Sequence, residues 1–290
     1  MLEHPYIDIT GDHWLRGNLH THTTRSDGER SPQAVLDDYA SRGYGFLMIS
    51  DHDIHTSAGD YDAWDTHDMI MLPGNEITAD GPHMLHVNSD CKVEPDPQRQ
   101  AVIDRALATR GFIIANHPNW QKQFDYCSID KLMEWSGYVG LEIYNGTIGR
   151  LDGSPYATNK WDILLNQGRR VWGFANDDSH LASGDTELGW NMAYVNDPTP
   201  AGVAAALESG RFYASTGVEI TTIQVEGTRI RIEAPHARRI VALREVGRRF
   251  AIADSNSIEI DYPDGATYVR FECWGDGEQF AWTQPFWLAK

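Results

Sequence analysis

Cysteine is nearly absent from this chain. Cys91, Cys127 and Cys273 are the three among 290 residues. They are odd in number, far apart and without a Cys-x-x-Cys pair, which excludes a disulfide framework and a thiolate zinc site as organising devices. They are expected to be reduced packing residues. No run of about 20 apolar residues occurs, so no membrane-spanning helix and no membrane partner are expected. Residues 1–12 lack the basic and apolar regions of a secretory leader, and the expected compartment is the cytoplasm. Basic residues are short as well: 24 Lys and Arg stand against 42 Asp and Glu, a formal net charge of −18. Such a surface has no phosphate-neutralising field and is not expected to hold long nucleic acid. A small anion stays compatible, because bound divalent cations reverse the field locally. Gly-x-Ser-x-Gly is missing too, so a serine nucleophile on a strand-to-helix elbow is not expected.

The chain does hold enough apolar residues, 41%, for a proper core, and its length suits one large α/β domain with or without a small second one. Short apolar runs alternate with helical patterns, the signature of βα units feeding a parallel sheet. Strands are expected at 17–21, 46–50, 70–73, 112–115, 140–143, 171–175 and 192–195, with an added strand at 84–87 forming a hairpin at the mouth. Ser31-Pro32 reads as an N-cap and first helical proline, and Gly43 as the stop of that helix. Further helices are expected at 97–110, 129–135, 160–167 and 200–208, three of them closed by Gly111, Gly168 and Gly210. Beyond Gly217 the pattern changes to alternating segments at 219–226, 229–234, 240–245, 257–262 and 267–274. The expected division is therefore a barrel over 1–213 and a small antiparallel β domain over 214–290. The β tail could also hold a homo-oligomer interface.

The residues that carry chemistry lie where the apolar runs end. Gly17-Asn18-Leu19-His20-Thr21-His22-Thr23-Thr24-Arg25-Ser26-Asp27-Gly28 closes the first run and Ser50-Asp51-His52-Asp53 the second. Gly74-Asn75-Glu76, Ala115-Asn116-His117-Pro118 and Asn176-Asp177-Asp178-Ser179-His180 follow three others. Two histidines two apart on a strand face the same way, so His20 and His22 can grip one cation while the turn carries Asp27 toward a second. In a parallel βα barrel all these groups converge on one mouth. Imidazole nitrogen with carboxylate oxygen and no sulfur suits Zn²⁺, Mn²⁺ or Fe²⁺.

Taken in this order, the blocks resemble the PHP family, the polymerase-and-histidinol-phosphatase type of metallohydrolase, over residues 16–210. The resemblance implies a distorted (β/α)7 TIM-like barrel holding two or three divalent ions. It implies that His20, His22 and Asp178 hold one ion and Asp27, His52 and His180 a second, with Glu76 bridging. His117 resembles a further ligand, which His86 would help to complete as a third site; His83 is the alternative for that role. Glu76, Asp178 and His180 are the residues on which turnover is expected to depend most.

Paired divalent ions make a shared water a hydroxide near neutral pH and stabilise the oxygens of the transition state. The leading reading is thus a phosphoesterase that cleaves a small phosphomonoester or compact phosphodiester with a metal-bridging hydroxide. A hydrolase of carboxylic esters, amides or carbamates is the alternative, and a non-catalytic metal-binding module the third. Basic groups in the mouth favour the first, and an apolar, Trp-rimmed mouth the second. Arg25, Arg150 and Lys122 are the candidates to clamp a phosphate, with Asn145 and His55 as further substrate contacts and Trp120 and Trp190 as stacking surfaces. Asp51 is a candidate orienter of a ligand imidazole.

Overall fold

The computed structural model describes residues 1–10 and 13–289; Gly11, Asp12 and Lys290, which fall within the two expected domains, lie outside the described residues. Helices start and stop on the expected chemistry. Ser31 Oγ accepts from Ala34 N ahead of the helix Pro32–Ser41, and Gly43 takes φ of 75° to end it. The other expected helices are Arg99–Leu107, Ile129–Glu134, Thr158–Asn166 and Pro200–Glu208. A short helix Ala58–Tyr61 and a 3-10 turn Thr147–Arg150 were not anticipated.

The strands form two main sheets, and this corrects the expectation of one closed parallel barrel. Five strands, Gly74–Ile77, Met84–Val87, Phe112–Ala115, Gly140–Asn145 and Trp172–Asn176, lie side by side in chain order. Trp14–Asn18, Phe46–Leu47 and Ile70–Met71 run parallel in the second sheet. Trp190–Tyr194 joins that sheet antiparallel to Trp14–Asn18, with Met192 opposite Arg16. The link from Asn176 to Trp190 carries no helix among the described residues, and a parallel return would need a crossover, usually helical.

Where the two sheets meet, side-chain amides take the place of ladder bonds. Asn191 Nδ2 donates to Ala175 O (2.8 Å) and its Oδ1 accepts from Ala175 N (3.1 Å). Gln284 does the same on Gly173, at 2.9 Å each way. Asn176 Oδ1 accepts from Leu19 N. Isolated parallel bridges, Thr21 with Ser179 and His52 with Glu76, tie the strand ends above them. Gln284 is fully buried, so Gln284→Leu leaves two backbone groups unpaired at about 1–3 kcal/mol each. The variant should lose roughly 2–5 kcal/mol in urea unfolding, and a loss under about 0.5 kcal/mol would show that the amide is dispensable.

Phe46, Met48, Leu85, Phe112, Ile114, Phe174 and Phe212 fill the space between the sheets. Val102, Ile103, Leu132, Trp161 and Leu164 pack helices on the outside. Phe212–Ser215, which spans the expected boundary at 213/214, pairs with Trp190–Tyr194 on one side and Phe280–Thr283 on the other. The sheet then continues through Arg270–Trp274, Arg239–Arg244 and Arg248–Ala253. Thr222–Glu226, Arg229–Glu233 and Ser257–Asp261 make a three-stranded sheet whose Ile223, Ile230, Ile232 and Ile258 share a core with Ile240, Val269 and Phe271. Buried Arg270 grips both oxygens of Asp162 at 2.7 Å and so ties these strands to the helix Thr158–Asn166. No described helix is long and apolar enough to cross a membrane.

Candidate metal centre

Every expected ligand but one converges above the strand ends. Glu76 is fully buried and its two oxygens face five imidazoles. His52 Nδ1 lies at 2.8 Å, His83 Nδ1 at 3.1 Å, His20 Nε2 at 3.2 Å, His117 Nε2 at 3.4 Å and His22 Nε2 at 3.6 Å. Asp178 Oδ1 stands 3.1 Å from His20 Nε2 and 3.2 Å from His22 Nε2. Asp27 reaches His52 Nε2 at 3.4 Å and His180 Nε2 at 3.5 Å. The loop that brings Asp27 back depends on Gly28, where a Cβ would sit 2.5 Å from His22 O. His117 and Asp178 take φ of 26° and 56°, left-handed backbone that non-glycine residues rarely adopt and that clusters at functional sites.

These atoms fit divalent cations. Four overlapping sets have donor atoms within 4.8 Å of one another: His22, Asp27, His52 and His180; His20, His117 and Asp178; His20, His22 and Glu76; His52, Glu76 and His83. His22 thus stands as close to the Asp27 set as to His20. Within the cluster His20 Nε2, His22 Nδ1 and Nε2, His52 Nδ1 and Glu76 Oε2 are buried without a hydrogen-bond partner. Such orphaned atoms each cost about 1–3 kcal/mol, a penalty that coordination would remove.

Without a cation the cluster balances its charge with protons. Burial disfavours the His52 imidazolium, but the facing carboxylates of Asp27 and Glu76 outweigh it and raise its pKa to about 10. His20 is likewise held well above the usual imidazole range against its burial, chiefly by Asp178, Glu76 and Glu142. Burial pushes His22 down to about 4. Glu76 ionises well below the usual carboxylate range because the facing imidazoles, His20 first, overcome its desolvation. A folded-state pKa above the unfolded value of about 6.5 stabilises fully below that pH, and the stabilisation fades as pH rises through about 10. Metal-stripped protein should therefore lose Tm between pH 7 and 10. Saturating Mn²⁺ or Zn²⁺ should abolish that slope, because ligand imidazoles are held deprotonated. Equal slopes with and without metal would contradict the assignment.

Surrounding groups hold the clustered side chains in place. Glu142 Oε1 bonds His20 Nδ1 at 2.7 Å and Asn176 Nδ2 at 2.9 Å, while its Oε2 accepts from His117 N and Asn145 Nδ2, both at 2.8 Å. Asn116 Nδ2 donates to Glu76 Oε1 at 2.6 Å. Neither Glu142 nor Asn116 was singled out from the sequence; the available signal was a polar residue inside an otherwise apolar buried strand or just before a ligand.

Several expected roles are corrected. His86 is not in the cluster: its Nε2 faces Arg110 O at 3.2 Å, and His83 stands in its place. Asn145 is buried and committed, with Nδ2 on Glu142 and on Asp178 Oδ2 (3.2 Å) and Oδ1 accepting from Ile148 N. Its donors are spent within the cluster, and none is free for substrate. Arg25 points away, with Nη1 on Thr56 Oγ1 at 2.9 Å, and His55 Nε2 is held by Ser89 Oγ at 2.9 Å. Asp51 holds Thr23 N (2.7 Å), Thr23 Oγ1 and Ser26 Oγ; it fixes the Asp27 loop and touches no ligand imidazole. Trp190 stacks on Arg16 at 3.7 Å. Of the expected substrate contacts, Arg150 and the stacking candidate Trp120 line the cavity of about 320 Å³ over the cluster, together with Ile148, Leu151, Leu181 and Glu29.

No family model and no curated protein matches the chain. Among solved structures it is similar to a two-domain protein from Bacteroides vulgatus containing a predicted PHP-like metal-dependent phosphoesterase. The TM-score is 0.55 at 14% identity, over 93% of this chain and 94% of that one. A candidate metal-dependent phosphoesterase from Bifidobacterium adolescentis (TM-score 0.44, 16% identity, 57% of this chain and 87% of that one) is a weaker match. So is an amidohydrolase from Chromobacterium violaceum with bound sulfate and no metal (TM-score 0.39, 13% identity, 58% and 89%). These two are too distant to bear on the chemistry. The first covers nearly the whole of both chains, and the resemblance read from the five sequence blocks is found again in three dimensions: this chain has a PHP-like fold.

Proposed function

We propose that the chain is a metal-dependent hydrolase of phosphoric esters, acting on a small phosphomonoester or compact phosphodiester with two or three divalent ions, Mn²⁺, Zn²⁺ or Fe²⁺. The observation that carries this reading is the buried Glu76 carboxylate ringed by five imidazoles at 2.8–3.6 Å, open to a cavity. His20, His22, Asp27, His52, Glu76, His83, His117, Asp178 and His180 would hold the ions. Bound there, the ions would activate water near neutral pH and stabilise charge on a phosphoryl group. The protein's own part is to aim the ligands. Glu142 sets the orientation of His20, Asn116 that of Glu76, and Asn145 that of Asp178. Trp120, Ile148 and Leu151 offer an apolar seat for the leaving group, and Arg150 at the rim supplies a guanidinium for a phosphate dianion.

A specific observation favours the runner-up, a hydrolase of carboxylic esters, amides or carbamates: one basic side chain lines the cavity against four large apolar ones. A panel of aryl phosphate monoesters, diesters and carboxylic esters, assayed with each metal, separates the two. Phosphoester turnover should dominate. Arg150→Ala should raise KM for monoesters roughly tenfold, the loss of one charge-assisted hydrogen bond, and leave neutral esters little changed. Carboxylic-ester turnover without phosphoesterase activity would establish the runner-up. Inactivity on all three classes with metal bound would point to a non-catalytic module.

A further inference from the structure

The loop between Ala115 and Ile129 delivers the ligand His117 and the cavity wall Trp120, yet its own sequence favours it poorly. His117, Gln121 and Phe124 all take positive φ, at 26°, 72° and 55°, conformations that cost L-residues free energy and persist only when the surroundings impose them. Backbone bonds hold part of it, Gln121 N to Asp152 O at 2.7 Å and Ser154 N to Asn119 O at 3.0 Å, and a lysine from another element holds the rest. Lys160, in the first turn of Thr158–Asn166, is buried, and its Nζ donates to Pro118 O at 2.8 Å, Phe124 O at 2.9 Å and Cys127 O at 2.6 Å. An ammonium has three donors, and all three are spent on carbonyls of this one loop. The nearest carboxylate, Asp125, is largely exposed and 3.6 Å away, so an ion pair is not what holds the side chain inside. The preceding residue in the helix, Asn159, adds a tie of its own: its Oδ1 accepts from Asn119 Nδ2 at 2.8 Å. The rings that the loop carries then pack on one another, Trp120 and Tyr126 at 5.2 and 5.3 Å from the His117 ring.

We infer that Lys160 is a positioning residue for the metal centre: its buried ammonium gathers the carbonyls of Pro118, Phe124 and Cys127 as a tethered cation and so sets His117 against Glu76. The charge matters here and not only the bulk, because a neutral side chain of the same length leaves three carbonyls converging on nothing. The inference rests on His117 being a metal ligand, as proposed above.

The test measures metal affinity rather than turnover. Mn²⁺ and Zn²⁺ titrations are compared for wild type, Lys160→Met, Lys160→Arg and Lys160→Ala, the last with and without propylammonium, which replaces the missing atoms and charge, or 1-propanol, which replaces the atoms alone. Lys160→Met should weaken at least one ion roughly tenfold or more, the range seen when a ligand loses its supporting contacts. Lys160→Arg keeps the charge but cannot place a planar fork where three carbonyls converge, so it should keep wild-type Tm within a few degrees and still bind that ion more weakly. Propylammonium should restore affinity to Lys160→Ala, and 1-propanol should not. Should Lys160→Met and Lys160→Ala fail to fold, Lys160→Arg decides. Wild-type affinity and stoichiometry in Lys160→Arg, or equal rescue by the alcohol, would overturn the inference. Absence of metal binding by the wild-type chain would instead overturn the reading on which it rests.

Discussion

Glu76→Gln should lose turnover almost completely while the chain stays folded. The amide has nearly the same volume, and Asn116 can still bond its oxygen, but it removes the one negative charge that faces five imidazoles at once. A neutral amide is a poor bridge between cations. Losing part of the metal centre forfeits several kcal/mol of transition-state stabilisation, and at about 1.4 kcal/mol per factor of ten that is a thousandfold or more in rate. Elemental analysis should find at least one ion fewer per chain than in wild type. Near-native kcat with full metal content would exclude Glu76 as the bridge.

Glu142→Gln should have the next largest effect, although this residue does not line the cavity over the cluster. An ionised carboxylate only accepts hydrogen bonds, and Glu142 accepts four: from His20 Nδ1, Asn176 Nδ2, His117 N and Asn145 Nδ2. With Nδ1–H committed to Glu142, the neutral His20 ring would present its Nε2 lone pair to a cation shared with Asp178 and Glu76. A glutamine keeps one oxygen and sets an NH₂ against two of the four donors. Metal affinity should fall roughly 10- to 100-fold, and two buried donors left unpaired should lower stability by about 2 kcal/mol or more. Competitive metal titration and urea unfolding measure the two effects. Unchanged affinity would show that Glu142 does not set the His20 tautomer.

The members of the cluster could be read from the sequence because each closes an apolar strand or lies in the loop that follows one, and strand ends are where a βα layout gathers its side chains. His20, His22, Asp27, His52, Glu76, His117, Asp178 and His180 all meet for that reason. The choice between His83 and His86 was not legible, since it depends on hairpin register. Glu76 lies opposite Leu85, and Asn75 opposite His86, so His86 shares the face of Asn75 and not that of Glu76; a slip of one residue would reverse this. Asn145, Arg25 and His55 looked free in the sequence because their partners, Glu142, Thr56 and Ser89, are ordinary residues whose proximity only the fold creates. The seam between the sheets was hidden in the same way. Asn176, Asn191 and Gln284 bond backbone groups up to 157 positions away in the chain, and no local pattern marks a side-chain amide that stands in for a peptide. Apolar runs reported the strands of the expected barrel but not their direction, so the antiparallel return of Trp190–Tyr194 appeared only in the structure.

Diffraction recorded above the absorption edge of the bound metal shows most directly whether this mouth is a multinuclear metal centre. Crystals of protein grown with Mn²⁺ or Zn²⁺ should show two or three anomalous peaks in contact with His20, His22, Asp27, His52, Glu76, His117, Asp178 and His180. No anomalous peak among these side chains, with less than one ion per chain in the same preparation, would contradict it.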